Sequence, residues 1–210
     1  IKKDDEILIT ELEHHANYVP WHFLREKKGA VIKFAKSNEK GEVEIDEIKK
    51  LISNKTKIIA ITHLSNVTGA IMPVKKIVDL ANEKKIPVLV DGCQGAPHLK
   101  IDMQELGCDF YAISCHKMYG PTGVGVLYVK SKWLDVLPPY QGGGGMIEEV
   151  KKDNITYPKS PTKFEAGTLQ TAEVVGFSES IKFIQDVGIK NIMQHEKEIT
   201  EYGIQELKKI

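Results

Sequence analysis

The chain has 210 residues, enough for one sizeable α/β domain with a real core or at most two small domains. Its 29 Lys and Arg balance 29 Asp and Glu, so no net field draws it to nucleic acid or anionic lipid. Hydrophobic residues at 41% and charged residues at 28% lie in the ordinary range of globular domains, and no apolar run approaches a bilayer span. The three cysteines, Cys93, Cys108 and Cys115, form neither a CxxC pair nor a Cys/His spacing for zinc, so a reduced, cytoplasmic setting is expected. The first residue is Ile1 rather than Met, so sequence is expected upstream, and an organelle matrix stays open as the location. Arg25 is the only arginine.

Apolar and β-branched runs alternate with amphipathic stretches along the chain. Residues 6–10 (EILIT) predict a strand, residues 18–28 a helix closed by Gly29, and residues 30–35 a second strand. Residues 45–53 predict a helix opened by acidic side chains, and residues 57–62 (KIIAIT) a third strand. Over residues 74–85, Val74, Ile77, Val78 and Ala81 share one helical face. The run 87–90 (PVLV) then leads directly into Asp91, as expected for a strand buried on both faces. A short helix at 102–106, a strand at 110–114 and another run at 124–129 follow. The last connection is too short for a helical crossover, so 124–129 is expected antiparallel to a neighbour in a mixed sheet. Beyond it come the glycines 142–145, an irregular stretch through Pro161, a helix at 171–186 and a last helix from Ile189 running through Ile210. In such doubly wound layers ligands bind outside the carboxyl ends of the strands.

Those ends hold Glu13, His14, His15 and Asn17, then His63, Ser65 and Asn66, then Asp91 and Gln94, and finally Ser114, His116 and Lys117. Four strands thus finish in polar or titratable groups, which a bland scaffold would scatter. An amine at a strand end can condense with an aldehyde, and Lys117 precedes Gly120-Pro121-Thr122-Gly123, a turn that lets backbone pass close to a ligand. The plain alternative for Lys117 is a solvated loop lysine. Asp91 ends a buried strand, where a carboxylate is costly unless a cation or several donors meet it. The protonated ring nitrogen of pyridoxal phosphate is such a cation, and Gln94 lies within reach of the ring's phenolic oxygen. The alternative for Asp91 is a cap on the following turn.

The segments Glu13-His14-His15-Ala16-Asn17 with Pro20-Trp21, Thr62-His63-Leu64-Ser65-Asn66, Asp91-Gly92-Cys93-Gln94, Ser114-Cys115-His116-Lys117 and Phe164-Glu165-Ala166-Gly167-Thr168 carry a resemblance. Together they resemble a cysteine desulfurase of the SufS type, within the class V aminotransferase group of fold-type I pyridoxal-phosphate enzymes. The resemblance implies a mainly parallel mixed sheet flanked by helices, the large cofactor-binding domain of a fold-type I enzyme truncated at both ends. Residues 1–187 would be its central part, and 188–210 a long helix leading towards a C-terminal small domain. It further implies that Lys117 holds pyridoxal phosphate as a Schiff base, Asp91 pairs with the ring nitrogen, Gln94 meets the phenolic oxygen and His14 stacks on the ring. By the same resemblance Lys117 and His14 would be the catalytic residues. Ser114 and His116 would bind the phosphate, Thr168 would reach the phosphate of the neighbouring subunit in a homodimer, and Asn66 would lie by the substrate. Cys93 stands where the family usually has Ala.

The reaction implied is L-cysteine to L-alanine, with sulfur passed as a persulfide to a Suf-type acceptor protein for iron-sulfur cluster assembly. The persulfide-carrying cysteine and the carboxylate-binding arginine are expected beyond Ile210. Cys115 is expected to pack away from the site, and Arg25 to lie on a solvated helix face. His15, His63 and His98 read as structural, and no metal is implied. Bland alternatives are an interior histidine for His14, a strand-end hydroxyl for Ser114 and a helix N-cap for Thr168. For the whole, the alternatives are a selenocysteine lyase, another class V aminotransferase, or a cofactor-binding and dimerisation fragment without turnover.

Overall fold

Runs rich in Ile and Val become strands here because helices cover both faces of the sheet they form. The computed structural model describes residues 1–210. Strands β1 (Glu6–Thr10), β2 (Val31–Ala35), β3 (Thr56–Thr62), β4 (Val88–Asp91), β5 (Phe110–Ser114) and β6 (Gly125–Val129) make one sheet in the order β2-β1-β3-β4-β5-β6. The first five run parallel. β6 returns antiparallel to β5, with Ser114 opposite Gly125, because residues 115–124 hold no crossover helix.

The helices are α1 (Val19–Lys28), α2 (Ile45–Leu51), α3 (Val74–Glu83), the short α4 (Gly95–His98), α5 (Met103–Leu106) and α6 (Ser131–Leu134), and the long α7 (Thr171–Val187) and α8 (Ile189–Leu207). On α3, Val74, Ile77, Val78 and Ala81 are all buried, as their shared face requires, in one cluster with Ile59, Ile61, Val88 and Val90. Each such aliphatic side chain contributes roughly 1.5–3 kcal/mol on burial. The other face of the sheet buries Ile7, Ile9 and Ala60 beneath Trp21 and Leu24 of α1. Gly29 closes α1 in the left-handed region at φ +71° while its N–H donates to Arg25 O at 3.0 Å, and Arg25 itself is exposed.

One buried carboxylate fixes the start of the site-bearing strands. Asp109 is 1% exposed and accepts from Val88 N at 3.0 Å, Trp133 Nε1 at 2.8 Å and Lys132 Nζ at 2.6 Å. Burial raises its proton affinity, but the Lys132, Trp133 and Val88 hydrogen bonds and the Lys132 charge outweigh it and hold the carboxyl below its ordinary 3.8. β4, β5 and α6 are therefore tied at one point.

Three local expectations change. The stretch expected to be irregular contains a hairpin, β7 (Glu149–Lys151) with β8 (Asn154–Thr156), whose Lys152-Asp153 turn lacks the glycine that marks such loops in sequence. The last helix stops at Leu207 instead of running through Ile210, and of its apolar stripe Ile192 is buried while Ile199 and Leu207 are exposed. Cys115 does not continue β5 but lies in a 3-10 turn, Cys115–Lys117, and is buried all the same. No helix is long and apolar enough to cross a membrane, and no group of three or more His, Cys, Asp or Glu side chains is placed to hold a metal ion.

Candidate active site

The parallel strands β1, β3, β4 and β5 are neighbours, so their carboxyl ends form one edge, where His14, Asn66, Asp91 with Gln94, and Ser114 with His116 and Lys117 leave the sheet. Asp91 closes β4 opposite Thr62 of β3 and Ala112 of β5. Its carbonyl accepts from His63 N at 2.9 Å, and Gly92 N donates to Ala112 O at 2.9 Å, so the backbone is held from both sides. The side chain turns out of the strand: the residue is 9% exposed, and Oδ1 accepts from Cys93 N at 3.0 Å. No protein cation forms an ion pair with it. A nearly buried carboxylate with one backbone donor is an incomplete site.

Lys117 ends the 3-10 turn after β5 and is half-buried, with neither a hydrogen bond nor an ion pair at its amine. The loop behind it folds back as Met118 N and Gly120 N donate to Cys115 O at 2.9 and 3.1 Å. Gly120 is required by close approach, since a Cβ there would lie 2.9 Å from Cys115 O and 3.0 Å from Phe177 Cδ2 of α7. Cys93 joins the two strand ends. Its thiol is 3.2 Å from Ser114 Oγ, and burial raises its proton affinity first, then the Ser114 contact opposes this, with the charges of Asp91 and Lys117 pulling in opposite directions. It therefore stays a thiol more firmly than a free cysteine.

Beneath the Asp91 turn lies a pair the sequence did not single out as such. Tyr111 is fully buried, and its hydroxyl is 2.8 Å from His63 Nδ1. Burial drives the His63 pKa down to about 4, so the imidazole is neutral near pH 7. A Cβ on Gly92 would lie 1.8 Å from Tyr111 Cε1, and one on Gly95 would lie 2.8 Å from His63 Nδ1. Gly92→Ala is expected to cost at least about 3 kcal/mol in urea unfolding, the upper end for overpacking a rigid interior. A melt within error of the parent would show that the ring can move aside.

His14 is exposed at the end of β1, its Nδ1 accepting from Ala16 N at 3.1 Å, so it is not an interior histidine. Glu13, beside it, sits in a hydrogen-bonded pocket. Burial is the largest influence, and the nearby Asp91 charge adds to it. Together they outweigh hydrogen bonds from Thr10, Asn17 and Thr62 and push its pKa from 4.5 up to about 7. The sign follows directly: the folded group binds its proton more tightly than the unfolded one, so stability falls as pH rises from 4.5 to about 7. His63 acts oppositely, adding stability as pH rises from about 4 to 6.5. In the parent the two slopes oppose each other, and Glu13→Gln leaves the His63 rise exposed. Urea unfolding across this range checks it, and parallel curves for the two proteins would sink the assignment.

Gln94 is partly buried at the N-terminus of α4, Ser114 is partly buried, and His116, Asn66 and Thr168 are exposed. Thr168 makes no hydrogen bond to the other residues and does not cap α7, whose N-cap is Gln170. Its segment is tied instead to the glycine run, through Gly167 N to Gly144 O at 2.8 Å. His98 pairs with Glu196 of α8 at 2.7 Å, His15 is exposed, and neither belongs to the cluster around Asp91.

A parallel sheet with one antiparallel edge strand, carrying a lysine and an unpaired acid on adjacent strand ends, fits the large-domain architecture of fold-type I enzymes. The chain belongs to the class V aminotransferase family, whose model matches residues 1–210. It is 48% identical over 207 residues to a probable cysteine desulfurase of Staphylococcus epidermidis, covering 99% of this chain and 50% of that protein. Among solved structures, the apo cysteine desulfurase of Thermococcus onnurineus superposes with a TM-score of 0.95 at 31% identity, over 100% of this chain and 52% of that one. The cysteine desulfurase CsdA of Escherichia coli superposes with a TM-score of 0.88 at 40% identity, over 91% and 48%. The chain thus spans about half the length of the relatives it matches.

Proposed function

We propose that the whole protein is a pyridoxal-phosphate-dependent cysteine desulfurase, converting L-cysteine to L-alanine and passing sulfur on as a persulfide for iron-sulfur cluster assembly. One observation carries the reading: Asp91, 9% exposed and without a protein cation, ends the strand beside the one that leads to the partnerless amine of Lys117. A ring nitrogen bearing a proton supplies the missing cation, and an aldehyde gives the free amine its partner, so the residues present fit the cofactor. The desulfurase names of relatives at 48% and 40% identity favour cysteine as the substrate.

When bound, pyridoxal phosphate supplies an electrophilic carbonyl carbon and a ring that withdraws electrons from the substrate's α-carbon. Lys117 would hold the cofactor through its amine and would move the proton at the substrate α-carbon. Asp91 keeps the proton on the ring nitrogen. Gln94 would donate to the phenolic oxygen, His14 would cover one ring face with Cys93 on the other, and Asn66 would lie towards the substrate. Ser114 and His116 would hold the phosphate, and Thr168 would serve the phosphate of the partner in a homodimer. The sulfur-accepting cysteine and the arginine that grips the substrate carboxylate belong to the rest of the whole protein, since Arg25 is exposed on α1. A Suf-type acceptor protein takes the sulfur, in a reducing cytoplasm that suits three free cysteines.

Product analysis of the full-length protein tests the reading. With L-cysteine, alanine and sulfide released by reductant should appear in equal amounts. A keto acid product would make it an aminotransferase, turnover of selenocysteine alone a selenocysteine lyase, and bound cofactor without any product a binding module.

A further inference from the structure

We propose that Glu13 is a positioning residue for His14, its carboxylate fastening the turn that carries His14 to the carboxyl ends of β1 and β3. The proposal rests on the cofactor reading above, in which the His14 ring covers one face of the bound ring. Glu13 Oε1 accepts from Thr10 Oγ1 at 2.6 Å and from Thr62 N at 3.0 Å, and Oε2 accepts from Asn17 Nδ2 at 2.6 Å. Thr10 closes β1, Thr62 closes β3, and Asn17 lies in the 3-10 turn His15–Asn17 that His14 caps. Asn17 is buried, and its Oδ1 accepts from Trp21 Nε1 at 3.3 Å, so the tie reaches the first turn of α1.

The His14 side chain, by contrast, is exposed and has a single hydrogen bond to the protein, through Nδ1. Its placement therefore depends on its turn, and the turn depends on Glu13. Once ionised, above a pKa of about 7, the group only accepts, and all three donors then converge on its two oxygens. An amide of equal size would turn an N–H against either Asn17 Nδ2 or Thr62 N. No cation pairs with this carboxylate, and burial opposes its charge, so the three donors are what hold it in place.

The test is made in the full-length protein with Glu13→Gln, at a pH well above the value of about 7 where Glu13 ionises. The cofactor is still fixed to Lys117 by borohydride, but its visible-band circular dichroism falls and its Kd rises about tenfold, the effect of losing one charge-assisted hydrogen bond. In the cofactor-free protein, diethyl pyrocarbonate modifies His14 faster, read by peptide mass, because Nδ1 loses its ordered donor. Asn17→Ala, which cuts the tie while leaving the carboxylate, gives the same three changes and stands in if Glu13→Gln does not fold. Folded variants with the parent's dichroism, affinity and His14 reactivity overturn the inference. A parent protein that takes up no cofactor overturns the cofactor reading instead, and His14 reactivity still decides the role of Glu13.

Discussion

Lys117→Ala in the full-length protein is expected to abolish borohydride-fixable attachment of pyridoxal phosphate and to lower turnover by about 10^2 to 10^4-fold through lost proton transfer alone. The chain has 29 Lys and Arg with Arg25 the single arginine, so the choice of one lysine needs a physical reason. Most of the candidates are surface groups, several of them ion-paired. Lys33 is held by Glu6 at 2.8 Å, Lys132 by Asp109 at 2.6 Å, and Lys130 donates to Gly107 O at 2.5 Å. The nearest rival is Lys163, which is buried with its amine already seated 4.9 Å from the Phe164 ring centroid. Lys117 alone combines partial burial, a partnerless amine and a strand-end position next to the Asp91 turn. Peptide mass after borohydride reduction reads the outcome: the pyridoxyl group should sit on the peptide containing Lys117. Labelling of the Lys163 peptide, or an unchanged adduct in Lys117→Ala, would assign the wrong amine. Lys117→Arg keeps the charge, cannot condense with the aldehyde, and should behave as Lys117→Ala does.

The strands were legible because buried parallel strands are written as unbroken apolar runs, and PVLV before Asp91 is the plainest of them. The antiparallel return of β6 followed from a loop too short to cross over. The strand-end residues were legible for the same reason: once the strands are placed, the next polar residue marks the carboxyl edge. What stayed hidden depends on contacts between segments distant in sequence. Nothing near Glu13 announces that Thr62 N will donate to it at 3.0 Å, because the two are brought together by the pairing of β1 with β3. Tyr111 read only as one member of an apolar strand, and its hydroxyl meets His63 because β3 and β5 flank β4. Gly92 carried no sign of the ring beneath it. The β7–β8 hairpin was missed for a different reason, since its turn is built from Lys152 and Asp153 and its strands are short and exposed. Thr168 illustrates the remaining limit: a single chain can place it on an exposed segment, whereas its expected role requires a second subunit.

Asp91→Asn is expected to leave the adduct on Lys117 intact while lowering turnover by about 10^2 to 10^3-fold, the usual loss when one preorganised charge facing the reacting group is removed. Asparagine retains an oxygen for Cys93 N, now 3.0 Å from Oδ1, so the turn into Gly92 keeps its backbone contacts. What disappears is the negative charge, and with it the group proposed to hold a proton on the ring nitrogen. Binding and chemistry therefore separate: cofactor uptake survives and electron withdrawal fails. The substitution has a second consequence that needs no cofactor. The charge of Asp91 is one of the influences that raise the Glu13 pKa to about 7, so removing it moves that titration down towards the ordinary 4.5. The pH-dependent loss of stability assigned to Glu13 then narrows, a shift readable by urea unfolding across the same pH range. Turnover within about threefold of the parent would mean that the ring nitrogen has no need of this acid, far below the loss expected for such a charge. A changed Glu13 titration with unchanged turnover would keep the electrostatic geometry of the edge and remove Asp91 from the chemistry.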